Sequence, residues 1–468
     1  MEEKIVLCNA GQPILDARAL LEAAGVVGCT EELCSHQLET GGEDMPDAFR
    51  TVPCDPSDLC VNISAMFDTD SGEWRFQELW ALMFGYSSGV TNFNRWSKFL
   101  EAITRRVGCV LWTMYYDDGS LRDLRSAKGA GQELVHIIFR KAGAPLSDTK
   151  RQKLADRATF LGLDHDVSNA LEPGNVTLWP REGLILKIVN HIRTILAESR
   201  CSPGAASKLM GILGFTSTGI WGKVGRVALS DLRRRTWTKR ISQDIDKNLI
   251  GALDFFLELL QLTPKRLVPT KPPTWRPVVV ATDAQADIDP SGGYLAWEPE
   301  AKGKTGGFFR FSEAILSLLG FDHKAMTNGG NPIAQCEAAA VLVALLAEAD
   351  TLRGREVIIF VDNTAALHAF VKGVSGNQHL ARTVQVFHLC AFILQTLVWF
   401  EYVPSAANWS DGVSRYGLED SWARKHRFRL RELSVPAWPW QGTLREAMSV
   451  ATGSFSSGGE GTVPAAVG

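Results

Sequence analysis

The chain has 468 residues, 45% of them hydrophobic, and a formal net charge of −3 at pH 7. That length allows about three domains with real hydrophobic cores, and the near-neutral balance excludes a global basic field, so any nucleic-acid binding must come from local patches. The nine cysteines are odd in number, scattered and form no CxxC pair, which fits reduced thiols in an intracellular protein best. Cys29, Cys34 and His36 lie close in sequence, but they lack a fourth ligand and the spacing of a zinc finger. The N-terminus MEEKIVLCNAG has no basic start followed by an apolar core, so no secretion signal is expected. The longest apolar run, 386–403, contains His388, Gln395 and Glu401; it reads as a core helix running into a strand rather than a membrane span. The expectation is a soluble cytoplasmic or nuclear protein.

In chain order, residues 1–43 give weak signals: a helix around 17–24, then an acidic, glycine-containing run that reads as loop up to Gly42. Asp44 and Asp47 precede Ala48-Phe49, and Pro53 closes that segment. The run VNISAMFDTDSGEWRFQELW alternates in polarity and predicts a hairpin about Asp70-Ser71-Gly72. A turn containing Gly85, Ser87 and Ser88 leads into a helix over about 92–106. Residues 109–116 are apolar, aromatic and β-branched, as in a buried strand, and Asp118-Gly119 supplies a tight-turn signal. The hairpin so formed holds two carboxylates, Asp117 and Asp118, at its tip. Adjacent like charges raise the pKa of at least one partner unless a cation sits between them, and hard divalent ions are the usual remedy. Alone, Asp-Asp-Gly is also a common surface turn. A helix over 130–142 follows, broken by Gly143-Ala144-Pro145, and 160–163 reads as a short apolar strand.

Residues 166–260 are mostly helical. The stretch 223–241 carries Lys223, Arg226, Arg233, Arg234, Arg235, Lys239 and Arg240 around Trp237, a run that ordinarily makes a solvated helix face. The prolines of 261–275 favour an extended, semi-rigid spacer.

From Arg276 strands alternate with helices. Strands are expected over 277–282, 292–297, 307–311, 356–361 and 399–403, with an Ala/Leu-rich helix over 335–350. In that helix Glu337 shares a face with Val341, Ala344 and Leu345, and a carboxylate on an apolar stripe is costly unless paired with cations. Asp283 ends the first strand, with Asp287 and Asp289 as equal claimants to its role. Asp362-Asn363 ends a later strand, and Asp411 begins a helix. Each of these last could simply cap its helix. The Gly-, Ser- and Pro-rich tail from 436 to 468 reads as disordered.

The order Asp-x-x-Asp-Ala-Phe, Phe-Gly-x-Ser-Ser, Tyr-x-Asp-Asp, Gly-x-Pro-Leu-x₃-Lys and Phe-Leu-Gly resembles the palm of a reverse transcriptase. It is similar to the retrotransposon type, of the DIRS or the gypsy-like group. Five weak pieces in the right order over about a hundred and twenty residues make a specific signal. The resemblance implies that Asp44, Asp117 and Asp118 bind two Mg²⁺ or Mn²⁺ about 3.5–4 Å apart, one at the primer 3′-oxygen and one at the leaving pyrophosphate. It places Phe49 under the sugar, with core packing as the alternative. It brings Gly85, Ser87, Ser88 and Tyr116 near template and nucleotide, with a serine-capped helix start as the alternative for Gly85, Ser87 and Ser88, and Lys150 near the pyrophosphate, unless Lys150 is simply a solvated surface lysine. The basic stretch with Arg233, Arg234, Arg235 and Trp237 would track a nucleic-acid backbone, as in a thumb or connection. A reverse transcriptase carries fingers ahead of its first Asp. Here 43 residues precede Asp44, with Lys4 and Arg18 as their only basic residues, so truncated or decayed fingers are expected.

The set TDAQAD, CEAAA, FVDNTAAL and NWSDGVSR resembles a ribonuclease H domain. The order of its acids separates it from integrases of the same superfold. The resemblance implies that Asp283, Glu337, Asp362 and Asp411 hold two divalent ions and direct water at the RNA of an RNA–DNA hybrid, with Asn363, Asn408, Ser414 and Arg415 in support. No histidine of the kind found near the last acid in some ribonucleases H is evident. The implied organisation is a multidomain chain of α/β and α+β type. It comprises a fingers remnant over 1–43, a palm over 44–165, a helical thumb or connection over 166–260, the proline-rich linker, and a ribonuclease H-like mixed sheet with flanking helices over 276–425. RNA template, DNA primer, hybrid and deoxynucleoside triphosphates are the implied partners, with no membrane and no implied oligomeric state. The alternatives are a ribonuclease H with a relic palm, or a non-catalytic nucleic-acid-binding module.

Overall fold

In the computed structural model, which describes residues 8–83, 85, 87–237, 243–271, 276–287, 289–300, 303–321 and 332–435, the chain folds as two units. One is Met1–Arg181 with Leu267–Pro272; the other is Glu182–Arg266 with Pro273–Gly468. The architecture is mixed α/β, with several sheets and many helices.

The first unit opens with helices α1 (Gln12–Val27) and α2 (Thr30–Ser35) and strand β1 (Leu38–Asp44). A hairpin of β2 (Ile63–Asp68) and β3 (Glu73–Glu78) comes next, then α3 (Ser87–Arg106), β4 (Leu111–Tyr115), β5 (Asp118–Leu124) and α4 (Ala130–Lys141). Short strands β6 (Gln152–Ala155), β7 (Arg157–Phe160), β8 (Leu163–Asp166) and β9 (Asn175–Pro180) complete it, joined by β10 (Arg266–Pro269). One sheet runs β4-β5-β1-β6 and a second β10-β9-β8-β7. Trp112, Met114 and Leu121 of the first sheet pack against Phe93 and Leu100 of α3 and Val135 and Phe139 of α4. On its way through the same sheet, the fully buried Arg122 is paired with Asp16 of α1.

Four expectations are corrected here. The run up to Gly42 is not loop but β1, in the interior of the first sheet. Glycine serves there because a Cβ on Gly42 would lie 2.7 Å from the Gln152 side chain, and one on Gly41 2.9 Å from its carbonyl. The turn of the acidic hairpin is Tyr116-Asp117, not Asp118-Gly119: Tyr115 pairs with Asp118 across it, and Tyr116 takes the positive φ of 54°. Gly119 lies in the strand because the Trp112 ring fills the space its side chain would occupy, 2.0 Å from a built Cβ. The stretch read as one strand over 160–163 is itself a turn, with Leu161 and Gly162 at positive φ joining β7 to β8. The linker read as an extended, semi-rigid spacer, of which 272–275 lie outside the described residues, instead carries β10, which pairs beside β9. The hairpin expected about Asp70-Ser71-Gly72 is present, closed by Asp68 opposite Glu73, and the helix expected from 92 starts earlier, at Ser87.

The second unit begins with helices α5 (Glu182–Glu198), α6 (Pro203–Thr216), α7 (Arg226–Trp237) and α8 (Lys247–Leu262). Residues 166–181 therefore belong with the first unit, because β8 and β9 pair there, and the helical block groups with the C-terminal strands and helices. Strands β11 (Val278–Gln285), β12 (Ser291–Trp297) and β13 (Lys304–Arg310) form an antiparallel meander. Helices α9 (Glu313–Leu318), α10 (Ile333–Ala347) and α11 (Ala349–Leu352) lead to β14 (Glu356–Val361), which pairs parallel to β11. Then come α12 (Thr364–Lys372), α13 (Gln378–Ile393), β15 (Leu397–Tyr402), α14 (Asp411–Tyr416), α15 (Ser421–Lys425) and β16 (Arg429–Leu433). The six-stranded order is β15-β14-β11-β12-β13-β16. Helix α10 is buried on every side from Gln335 to Leu346, which is why its composition is apolar all round. The tail read as disordered, 436–468, lies outside the described residues.

Candidate metal centre

Three segments of the second unit bring carboxylates together. Asp283 is carried near the end of β11, Asp362 directly succeeds the parallel neighbour β14, and Glu337 projects from α10 against the same sheet. Their ligand oxygens lie within 4.8 Å of one another. Asp283 is held on both sides. The Ser414 hydroxyl donates to its Oδ2, and the Asn408 amide donates to its Oδ1 at 3.3 Å and to the Thr282 carbonyl at 3.0 Å. Ser414 is fixed in turn by Ser291, whose hydroxyl donates to the Ser414 carbonyl at 2.8 Å. Gly293, which pairs with Asp283, keeps room for this arrangement, since a Cβ there would stand 2.8 Å from the Ser414 amide.

Burial pushes Asp283 up to about 7, with Asp362 and Asp411 adding to the rise and Ser414 opposing it. Burial raises Glu337 well above the ordinary carboxylate range, and Asp283 and Asp362 raise it further. One Glu337 oxygen, Oε2, is buried without a hydrogen-bond partner. Three converging carboxylates with an unpartnered buried oxygen fit a hard divalent cation, which takes oxygen ligands and relieves the mutual repulsion; these residues could hold one.

Asp411 is the first residue of α14, beside this group, and its Oδ1 is 2.8 Å from Arg415 Nη2. It does not cap its own helix with its side chain. Asn363 does cap: its Oδ1 accepts from the amides of Ala365 and Ala366, leaving Asp362 to face Glu337.

In the first unit, Asp44 pairs with Asp118 across β1 and β5, and the Met45 amide donates to the Asp117 carbonyl at 3.1 Å. The three acids are thus brought together at one end of the sheet. Among the described residues they do not reach the spacing of the other trio. The Lys150 ammonium instead donates to Asp44 at 2.9 Å. Burial raises Asp117, and pushes Asp118 up to about 6 with the charges of Asp117 and Asp44 behind it.

The remaining candidate residues are spread over both units. Phe49 stacks on Phe93 with centroids 4.7 Å apart, the packing alternative. Gly85 is exposed at φ 104°, Ser87 starts α3, and Ser88 is exposed in its first turn. The Tyr116 carbonyl accepts from the Ser97 hydroxyl at 2.7 Å. On α7, Arg233 and Trp237 are exposed and Arg234 pairs with Asp231. Arg235 departs from the expected solvent-facing row. It is buried and donates to the Cys201 carbonyl at 2.6 Å, because its position falls on the helix face that packs inward with Leu232 and Ala228. Lys239 and Arg240 lie outside the described residues.

Two groups escaped the sequence reading. Ser291 had a faint signal in the Ser-Gly-Gly run opposite Asp283. The second is Glu43, next to Asp44 but buried: His136 Nε2 lies 3.0 Å away, Arg151 Nε 3.2 Å, and the Gln132 amide donates to it at 2.7 Å. Nothing local in the sequence announces that cluster.

No protein-family model and no curated protein sequence matches the chain. Among solved structures it is similar to the foamy viral protease-reverse transcriptase in complex with double-stranded DNA. One such structure aligns at TM-score 0.38 and 14% identity over 79% of this chain and 57% of that one. A second aligns at TM-score 0.38 and 13% identity over 78% and 67%. The chain thus spans a little over half the length of the first.

Proposed function

We propose that the chain is a nucleic-acid enzyme of the retroelement kind. In this reading the second unit cleaves the RNA of RNA–DNA hybrids, and the first carries the acidic centre of an RNA-directed DNA polymerase. The observation that carries it is the convergence of Asp283, Glu337 and Asp362 from two parallel strands and a buried helix. Holding three carboxylates in contact, Asp283 and Glu337 buried and Asp362 half-buried, costs stability unless a cation is taken up, so the arrangement makes sense as a metal-holding centre. Magnesium or manganese ions held by these residues and Asp411 would neutralise the phosphodiester and activate the attacking water. Ser414 and Asn408 hold the Asp283 carboxylate in one orientation, and Arg415 restrains Asp411. In the first unit, Asp44, Asp117 and Asp118 would serve primer and deoxynucleoside triphosphate, with Lys150 meeting the pyrophosphate.

A second reading, a hybrid nuclease with a non-catalytic first unit, is favoured by one feature: Lys150 rather than an open position stands at Asp44. The test measures hybrid cleavage and primer extension separately on the full chain with Mg²⁺ or Mn²⁺. Cleavage lost in Asp362→Asn, and extension lost in Asp117→Asn with cleavage intact, is the expected pair of results. Cleavage without extension in the parent selects the second reading. Hybrid binding that ignores divalent ions, with neither reaction, would overturn both.

A further inference from the structure

Two consecutive acids, Glu43 and Asp44, close strand β1, and two consecutive cations, Lys150 and Arg151, lead into β6. The two strands pair antiparallel with Gly42 opposite Gln152. Carried one and two residues further, that register sets Glu43 opposite Arg151 and Asp44 opposite Lys150, and side chains alternate between faces along a strand. Both pairs are present. On the face towards α4, Arg151 Nε lies 3.2 Å from Glu43 Oε1; on the other, the Lys150 ammonium donates to Asp44 at 2.9 Å.

The two pairs differ in how firmly they are held. Lys150 is 64% exposed, and an exposed lysine–carboxylate pair on a flexible four-carbon stem is weak by itself. The Glu43 side chain is fully buried. The Gln132 amide donates to its Oε1 at 2.7 Å, and His136 Nε2 lies 3.0 Å from the same oxygen. Arg151 bridges from Glu43 to Glu133 of α4, to which its Nη2 donates at 2.6 Å. The Ser147 amide donates to the Asp44 carbonyl at 2.9 Å and ties down the other end of the same short segment. Lys150 therefore hangs between two anchored points, one of them fixed by a buried carboxylate that takes no part in the acidic centre. We propose that Glu43 is a positioning residue: through Arg151 it holds segment 147–151 so that the Lys150 ammonium stands at Asp44, ready for the phosphate oxygens of a nucleotide. Its use on a nucleotide rests on the polymerase reading of this centre; the hold of Glu43 on Lys150 is independent of it.

The test uses the full chain and two readouts. The first is the rate of reductive methylation of Lys150 in metal-free buffer, followed by peptide mass spectrometry, with the exposed Lys141 as internal reference. An ammonium paired with a carboxylate keeps its proton and reacts slowly. Glu43→Gln keeps the shape of the side chain and removes its charge, and Arg151→Lys loses the fork that spans two carboxylates. Each should speed Lys150 about threefold or more relative to Lys141, as the pair at Asp44 loosens. The second readout is primer extension. Glu43→Gln should lower kcat about tenfold with primer binding unchanged, the cost of a misplaced group. It should cost nothing further once Lys150→Ala is in place, because both act through one ammonium. Unchanged Lys150 labelling in Glu43→Gln, or losses that multiply in the double variant, would overturn the proposal. Labelling that responds while the parent extends no primer supports the hold on Lys150 and overturns the polymerase reading alone.

Discussion

The Ser414 hydroxyl donates to Asp283 Oδ2 although 131 residues of chain separate them. That contact makes α14 part of the acidic centre even apart from Asp411, because it sets the orientation of a carboxylate on β11. Ser414→Ala should therefore weaken Mn²⁺ binding by about 10–100-fold, the usual effect of removing a hydrogen bond from a ligand's outer partner. Calorimetric titration against the parent checks this; unchanged affinity would show that Ser414 merely packs.

Asp283 ties the stability of the metal-free protein to pH. Its folded pKa, about 7, stands above the unfolded carboxylate value near 3.9. Between those limits the native state holds a proton that the unfolded state has released, so stability falls as pH rises. Asp283→Asn removes that loss. In metal-free buffer the variant should melt above the parent at pH 7.5, with the difference closing towards pH 4. Adding Mg²⁺ should raise the parent but not the variant. A constant offset across the range would contradict the assignment.

Lys150 opposes the rise of Asp117 and Asp118 through its charge. Lys150→Ala should move the Asp118 titration upward from about 6, and carbon-detected carboxyl NMR would track it directly. A downward or absent shift would mean that the ammonium does not reside at Asp44.

Gly119 tests the correction to the hairpin. Because the Trp112 ring occupies the space of its side chain, Gly119→Ala should destabilise the first unit by about 3 kcal/mol, at the upper end of overpacking costs. Denaturant unfolding measures it; a near-neutral result would put Gly119 back in a turn.

The Arg122–Asp16 pair is fully buried. Asp16→Asn leaves an uncompensated guanidinium in the core, an effect of about 3–5 kcal/mol, readable in the same unfolding experiment. Mutating both partners to apolar residues should recover much of the loss.

The signals that survived translation into structure were local ones. The Asp70-Ser71-Gly72 turn is where alternation placed it, since its register depends on neighbouring residues alone. The buried carboxylate of Glu337 could be read from the apolar run it interrupts, although that helix is buried all round rather than along one stripe. What failed also failed locally: two glycines before Asp44 look like loop until the crowding by Gln152 is known, and Arg235 looks like its neighbours until the burial of one helix face is known.

The sequence by itself determined which acids end strands or interrupt apolar faces, and where the chain changes from helical block to alternating strands and helices, because periodicity and turn chemistry act over a few residues. The tertiary structure alone decided that Asp44 lies opposite Asp118, that Asp283, Glu337 and Asp362 meet within 4.8 Å, and that Asn363 caps while Asp362 does not. Those relations arise from strand register and helix packing between segments tens of residues apart, where the free energy lies in contacts that no short window of sequence contains.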